Sequence, residues 1–164
     1  MSKMPPSSNT RPGKAVGKLV RSSITPRIEH NASAADALDL MYRYKTQYVA
    51  VMDRGDLVGI FTYASYLGNV LRSGKEAEKT PLDEVMNTAP TPVDAEQSCR
   101  DVFQTVCQNG FPYIPVEQNG RFLGLVSDDI LRLELSRELN AMRKKIGFSF
   151  FSPDDGSAMG GARP

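Results

Sequence analysis

Two stretches of the chain, "YVAVMDRGDLVGIF" at 48–61 and "YIPVEQNGRFLGLV" at 113–126, place apolar runs on either side of a short polar break. Asp53 to Asp56 and Gln118 to Arg121 supply the turns, so each stretch predicts a β-hairpin. Ahead of the first hairpin, Ala37, Leu38, Met41 and Tyr44 recur at helical spacing behind Ser33-Ala-Ala-Asp36. Ahead of the second, Val102, Phe103 and Val106 follow Ser98-Cys-Arg-Asp101. A serine with an acidic residue three positions on is a helix-start signal, because each side chain satisfies the other's backbone N–H, and Asn109-Gly110 is a stop signal. A further helix follows each hairpin. The first ends near Ser73-Gly74; the second runs on through "ILRLELSRELNAMRKKI", with Ile130, Leu131, Leu135, Leu139, Met142 and Ile146 on one side. Pro115, inside a strand, points to an edge or to a gap in the ladder, where a ligand can reach backbone groups.

The same order of elements occurring twice indicates a duplication. Gly59 and Gly124 lie 65 residues apart, and that offset also pairs Ser33 with Ser98, Asp36 with Asp101, Tyr48 with Tyr113, Val51 with Val116 and Gly55 with Gly120. Apolar character persists between these identities, with Met41 over Val106, Val49 over Ile114 and Ile60 over Leu125. Each half reads as strand, helix, strand, strand, helix, which predicts an α/β (α+β) fold of two βαββα repeats. The expected divisions are a disordered segment over 1–14, a first repeat over 15–74, a linker and second repeat over 75–146, and a flexible tail over 147–164. "FSFF" at 148–151 is an apolar patch expected to dock on the body or on a partner.

Composition removes several function classes. Twenty Lys and Arg against nineteen Asp and Glu leave a net charge of +1, which argues against a dedicated nucleic-acid surface or a strongly electrostatic membrane binder. No apolar run is long enough for a membrane span, and "MSKMPPSSNTRPGK" has no apolar core for a signal peptide, so a cytoplasmic protein is expected. Cys99 and Cys107 fall eight positions apart on one helix, about 12 Å along its axis and too far for a mutual disulfide. They read as buried small hydrophobes. With His30 as the sole histidine, in a polar stretch, and with no Cys/His cluster or Walker loop, no enzyme is expected.

Both hairpins end in a glycine, two apolar residues and a hydroxyl before a helix, "GIFT" and "GLVS", and the repeats are preceded by "VGKLVRSSITPRI" and "LDEVMNTAPTPV". Together with the doubled pattern, these stretches resemble the tandem CBS domain pair, or Bateman module, over residues 16–145. The resemblance implies two similar units packed about a pseudo-twofold axis with clefts between their sheets. It implies a sensing role, with AMP, ADP, ATP or S-adenosylmethionine as regulatory ligand and no required cofactor. It also implies a homodimer acting on an unidentified regulated protein, without nucleic acid or membrane. The candidate dimer faces are Leu67, Val70 and Leu71 in one half and Leu131, Leu135 and Leu139 in the other.

The resemblance further assigns site residues. Thr62 and Ser127 are the hydroxyls at the helix starts, where a preceding glycine permits close approach and free backbone N–H groups favour phosphate. Tyr48, Val49 and Ala50 in one half, and Tyr113, Ile114 and Pro115 in the other, would surround the adenine, with Thr25, Arg27 and Thr91 completing the clefts. Three residues after the hydroxyl the family pattern has an Asp that accepts bonds from both ribose hydroxyls. Here that place holds Ser65 and Ile130, so the grip is weakened at one site and missing at the other, with Asp129 the nearest carboxylate in the second. Alternatives stay open at this point. Thr62 and Ser127 read equally as ordinary N-caps contributing about 1 kcal/mol each, Tyr48 and Tyr113 as core residues, and the whole chain as a ligand-free dimerisation or interaction scaffold.

Overall fold

The computed structural model describes residues 13–150, the last three by their backbone alone. The expectations for 1–12 and for 151–164, including Phe151 of the apolar patch, lie outside the described residues. A short helix α1 (Val16–Arg21) leads into β1 (Arg27–Glu29), α2 (Ala34–Tyr44), β2 (Tyr48–Asp53) and β3 (Asp56–Thr62). One helical turn, α3 (Tyr63–Ser65), passes directly into a π-helical stretch over Tyr66–Leu71. Two 3-10 turns, Ala77–Lys79 and Leu82–Glu84, cross to β4 (Asn87–Thr88). The second half repeats the order as β5 (Val93–Asp94), α4 (Cys99–Asn109), β6 (Tyr113–Gln118), β7 (Arg121–Ser127) and α5 (Asp128–Phe150).

Local chemistry sets these boundaries as the pattern predicts. Ser33 and Asp36 form a reciprocal capping box at α2, with Asp36 held below the usual carboxylate range by its bonds to the Ser33 side chain and backbone. Ser98 caps α4 by accepting from the Asp101 N–H, and Gly110 ends it in the left-handed region at φ 68°. The hairpin turns put two successive residues at positive φ, Arg54-Gly55 and Asn119-Gly120, the geometry that matches strand twist in a tight hairpin.

The sheets are ordered β1-β2-β3-β4 and β5-β6-β7. Pro115 thus sits on a central strand rather than an edge. Parallel pairing from β5 reaches only Val116 and Glu117, so Pro115 stands where that ladder has ended and its missing N–H disrupts nothing. Three further expectations change. Cys107 is exposed, and only Cys99 is buried. Val70 and Leu131 are wholly buried in the cores of their own chain and cannot be dimer contacts. Residues 147–150, expected in a flexible tail, continue α5.

Packing crosses between the halves. Val16, Leu19 and Val20 of α1 share a core with Val102, Val106, Ile114, Val116, Val126 and Leu131 of the second half. Conversely, Leu82 and Val85 of the connecting segment lie in the first half's core with Met41, Val49, Val51, Phe61 and Val70. A third cluster, Tyr48, Ala50, Met52, Ile60 and Leu125, joins the two sheets. Each half is therefore completed by the segment that precedes the other. Burying these side chains contributes roughly 1.5–3 kcal/mol apiece, which makes the pair one folding unit.

Candidate functional site

At the first helix start every polar group is turned inward. Thr62 Oγ1 accepts from the Ser65 N–H at 3.1 Å, and Ser65 Oγ accepts from the Thr62 N–H at 3.2 Å. The two hydroxyl oxygens lie 3.0 Å apart, and Asn87 Nδ2 donates to Ser65 Oγ at 3.0 Å. Thr62 is 7% and Ser65 3% exposed. These residues, expected to touch a ligand, instead close a buried capping box sealed by the segment leading to the second half.

The second helix start differs. Ser127 Oγ accepts from the Ile130 N–H at 3.3 Å, and Ile130 has no polar atom to return the bond. Beside Ser127 a cavity of about 300 Å³ opens between the halves. Ser23 and Ile24 line it from the segment after α1, Lys45, Thr46 and Gln47 from the α2–β2 loop, and Ser127, Asp129 and Ile130 from the start of α5. Tyr48 and Tyr113 form its inner wall, their ring centroids 4.7 Å apart and tilted by 48°. Burial, then Tyr113, raises the Tyr48 phenol above its ordinary value; burial, then the charges of Asp128 and Asp129, does the same for Tyr113. A larger hollow of about 450 Å³ adjoins it at the end of α2, lined by Tyr42, Arg43 and Tyr63, and shares Lys45, Thr46 and Gln47.

Of the residues expected at the site, Tyr48, Tyr113, Ser127 and Asp129 come together here. Val49, Ala50, Ile114 and Pro115 do not: all four are buried in the strands. Thr91 is exposed and lines neither hollow. Thr25 and Arg27 join the halves instead. Thr25 Oγ1 accepts from the Leu125 N–H at 3.0 Å, while Arg27 Nη2 donates to the Leu123 carbonyl at 2.9 Å and its guanidinium lies 4.9 Å from the Phe122 ring centroid. The glycines likewise serve the fold. A Cβ on Gly124 would meet Val20 Cγ1 at 2.6 Å and Thr25 Oγ1 at 2.7 Å, and one on Gly59 would meet the Met86 side chain and, at 2.9 Å, the Asn87 carbonyl oxygen. The close approach they permit is that of the exchanged segments. Lys45, Thr46 and Gln47 carried no sequence signal beyond being a polar loop before a strand.

The arrangement offers an aromatic wall for a flat ring, a hydroxyl with no described acceptor for its proton, and the first turn of a long helix, with Lys45 also lining the cavity. Among the described residues no group of three or more His, Cys, Asp or Glu could hold a metal ion, and no helix is long and apolar enough to cross a membrane.

Two βαββα units that exchange their leading segments and leave a cleft between them define a tandem-repeat α/β module. The chain belongs to the CBS-domain family, whose model matches residues 16–71 and 82–137. A putative signal-transduction protein with CBS domains from Burkholderia ambifaria superposes with a TM-score of 0.67 at 22% identity, covering 74% of this chain and 93% of that one. A conserved CBS-domain protein of Thermoplasma acidophilum gives 0.65 at 23% identity, with 79% and 76% covered. CBSX2, a CBS-pair protein of Arabidopsis thaliana, in complex with AMP gives 0.61 at 21% identity, with 77% and 99% covered. No curated protein matches the chain.

Proposed function

We propose that this chain is a regulatory, non-catalytic CBS pair that binds one adenosine ligand, AMP, ADP, ATP or S-adenosylmethionine, in the cleft beside Ser127. As a homodimer it passes that occupancy to a regulated protein. The observation that carries this reading is the asymmetry of the two helix starts: Thr62 is sealed, whereas Ser127 faces a cavity walled by Tyr48 and Tyr113. CBSX2, which has this fold, was crystallised with AMP. Exposed Leu67, Leu71 and Leu139 supply apolar surface for a second copy. The missing ribose carboxylate at Ile130 favours one alternative, a ligand-free interaction scaffold.

Calorimetry and thermal denaturation of nucleotide-free protein against the four ligands decide between them. The expected result is saturable binding of one molecule per chain, with about 2.7 kcal/mol of stabilisation at a hundred times the dissociation constant. That corresponds to a rise in midpoint of about 5–10 °C for a chain of this size. Tyr113→Ala should abolish it. The absence of binding at millimolar ligand by folded protein overturns the sensor reading and leaves the scaffold.

A further inference from the structure

The larger hollow beside the cleft draws its chemistry from one repeat alone. It holds about 450 Å³ against about 300 Å³ for the cleft, and the two share Lys45, Thr46 and Gln47. Both volumes fall in the range of small-molecule sites. Tyr42, Arg43 and Tyr63 also line the hollow. The 65-residue offset sets these three against Cys107, Gln108 and Asp128 of the second repeat, and Lys45 against Gly110. The second repeat builds the same βαββα frame without either tyrosine or either cation, so the frame does not account for them. Nor does a core: Tyr42 is 83% and Tyr63 41% exposed.

The backbone at Lys45 is the second observation. It ends α2 in the left-handed region at φ 53°, where its counterpart Gly110 ends α4 at φ 68°. Glycine takes that conformation freely, whereas a Cβ there crowds the neighbouring backbone. Arg54 and Asn119, the other non-glycine residues at positive φ among those described, stand in the hairpin turns, where both repeats carry a side chain. At the helix end only the first repeat does. Strain kept where glycine would serve points to a side chain placed for use, and this one lines both cavities. Its loop is tied down, with the Thr46 hydroxyl donating to the Tyr48 carbonyl at 2.9 Å and the Tyr63 N–H to the Gln47 carbonyl at 3.4 Å. Charge is the third observation. Among the described residues neither Arg43 nor Lys45 forms an ion pair, and the hollow is lined by no carboxylate, whereas Asp129 lines the cleft. The dipole of α2 favours cations near its end, but α4 ends without one. A phosphate leaving the cleft is drawn toward Lys45 and Arg43 and away from Asp129.

We propose that the cleft and the hollow together hold a dinucleotide, with one base on the wall of Tyr48 and Tyr113, the bridging phosphates at Lys45 and Arg43, and the second base against Tyr42 and Tyr63. The order of ring, anion and ring in such a ligand matches the order of aromatic, cationic and aromatic lining in the protein. A mononucleotide fills the cleft and gives the tyrosines of the hollow nothing to cover. A longer phosphate chain uses the cations and still leaves those rings bare. The inference rests on the adenosine reading above and extends its ligand by a second nucleoside, with Lys45 as the residue that selects for the bridge.

The test is calorimetry of the full chain, freed of nucleotide, with AMP, ADP and diadenosine diphosphate as probes. ADP carries the same two phosphates as the dinucleotide without the second ring. Diadenosine diphosphate should bind about tenfold tighter than ADP, the ordinary worth of one base stacked on an aromatic side chain. Tyr63→Ala should cost the dinucleotide about tenfold more than it costs AMP, and the more exposed Tyr42→Ala should act in the same direction. Lys45→Gly should weaken diadenosine diphosphate by about tenfold while raising the denaturation midpoint by about 2–4 °C, because glycine relieves the left-handed helix end. Weaker binding by a more stable protein is not a loss of folding. If AMP binds through Tyr113 but the dinucleotide binds no tighter than ADP, the hollow takes no second base; the proposal is overturned and the sensor reading stands. Equal losses for AMP and the dinucleotide in Tyr63→Ala overturn it as well. If the folded protein binds none of the three probes, both readings fall together.

Discussion

Thr62 and Ser127 stand at equivalent places in repeats whose hairpins pair residue for residue, yet one helix start is shut and the other open. Tyr48 lies opposite Thr62 as Tyr113 lies opposite Ser127, Val51 opposite Gly59 as Val116 opposite Gly124, and both ladders shift register at the same point. The strands therefore do not cause the difference. One cause lies three residues on, where Ser65 returns a hydrogen bond and Ile130 cannot. The other lies in the exchanged segments. β4 pairs with Gly59 and Ile60 and delivers Asn87 onto Ser65. The counterpart before the first repeat folds back on α1, with Ser22 and Ser23 donating to the Leu19 and Val20 carbonyls, and reaches the second hairpin through side chains, Thr25 Oγ1 at the Leu125 N–H and Arg27 Nη2 at the Leu123 carbonyl. Duplication kept the scaffold, and one residue plus one connecting segment set whether a cleft remains.

Gly59→Ala should produce the largest effect that separates the two sides. Its new methyl meets a backbone oxygen, Asn87 O, as well as the Met86 side chain, so β4 has to move. Gly124→Ala meets side-chain atoms of Val20 and Thr25, which can give way without moving backbone, though Thr25 does so by releasing the Leu125 N–H. We expect losses of about 3 kcal/mol at Gly59 and about 1–2 kcal/mol at Gly124, read as denaturation midpoints. Equal losses would mean that the closed side is no more tightly built than the open one.

Next in size is the cap. Thr62→Ala leaves the Ser65 N–H without its acceptor in a buried box and should cost about 2 kcal/mol, whereas Ser127→Ala gives up one long bond near water and should cost about 0.5 kcal/mol. The functional order is the reverse: Ser127→Ala should weaken the adenosine ligand several-fold and Thr62→Ala should not. Calorimetry of both variants checks this, and a folded Thr62→Ala protein that no longer binds would place the ligand on the wrong side.

Sequence made the scaffold legible and the site only half so. The hairpins, both serine caps and the left-handed turn residues follow from period and local chemistry, which depend on neighbours within a few positions. Helix α1 and its pairing with the second half do not: "VGKLVR" stood only as a phrase before the first repeat, and six residues carry no signal of which sheet buries them. The glycines before Thr62 and Ser127 signalled close approach but could not name what approaches. Ser65 held more information than its place in the ligand pattern: Thr62-Tyr-Ala-Ser65 has the spacing of a capping box, which is how it folds. Lys45, Thr46 and Gln47 enter the cleft through the chain's path around α2, and no local pattern encodes that.

Ile130→Asp would sharpen the comparison by giving the open side the carboxylate it lacks. Ile130 packs only partly against the second core, so its loss should cost about 1 kcal/mol of stability. A charge-assisted bond to ribose should return about 1 kcal/mol in binding, roughly a fivefold gain in affinity for AMP and none for adenine alone. An unchanged affinity would show that the sugar does not lie at the start of α5.

The smallest effect tests the inner wall itself. Both phenols are raised, Tyr48 mainly by burial and Tyr113 by burial and then by Asp128 and Asp129. Because the folded state favours the neutral form, this stabilisation is fully present below the ordinary phenol value near pH 10 and fades as pH climbs through the higher folded-state values. Ultraviolet titration should therefore show a late-ionising pair, and Tyr48→Phe should remove one member of it. Asp129→Asn, which takes away one nearby negative charge, should bring the Tyr113 ionisation slightly down while leaving the start of unfolding almost unchanged. A bound adenine covering the rings should push both later still. If AMP binds yet the late phase does not move, the base sits elsewhere in the cleft, and the adjoining hollow at Tyr42 and Tyr63 becomes the wall to mutate.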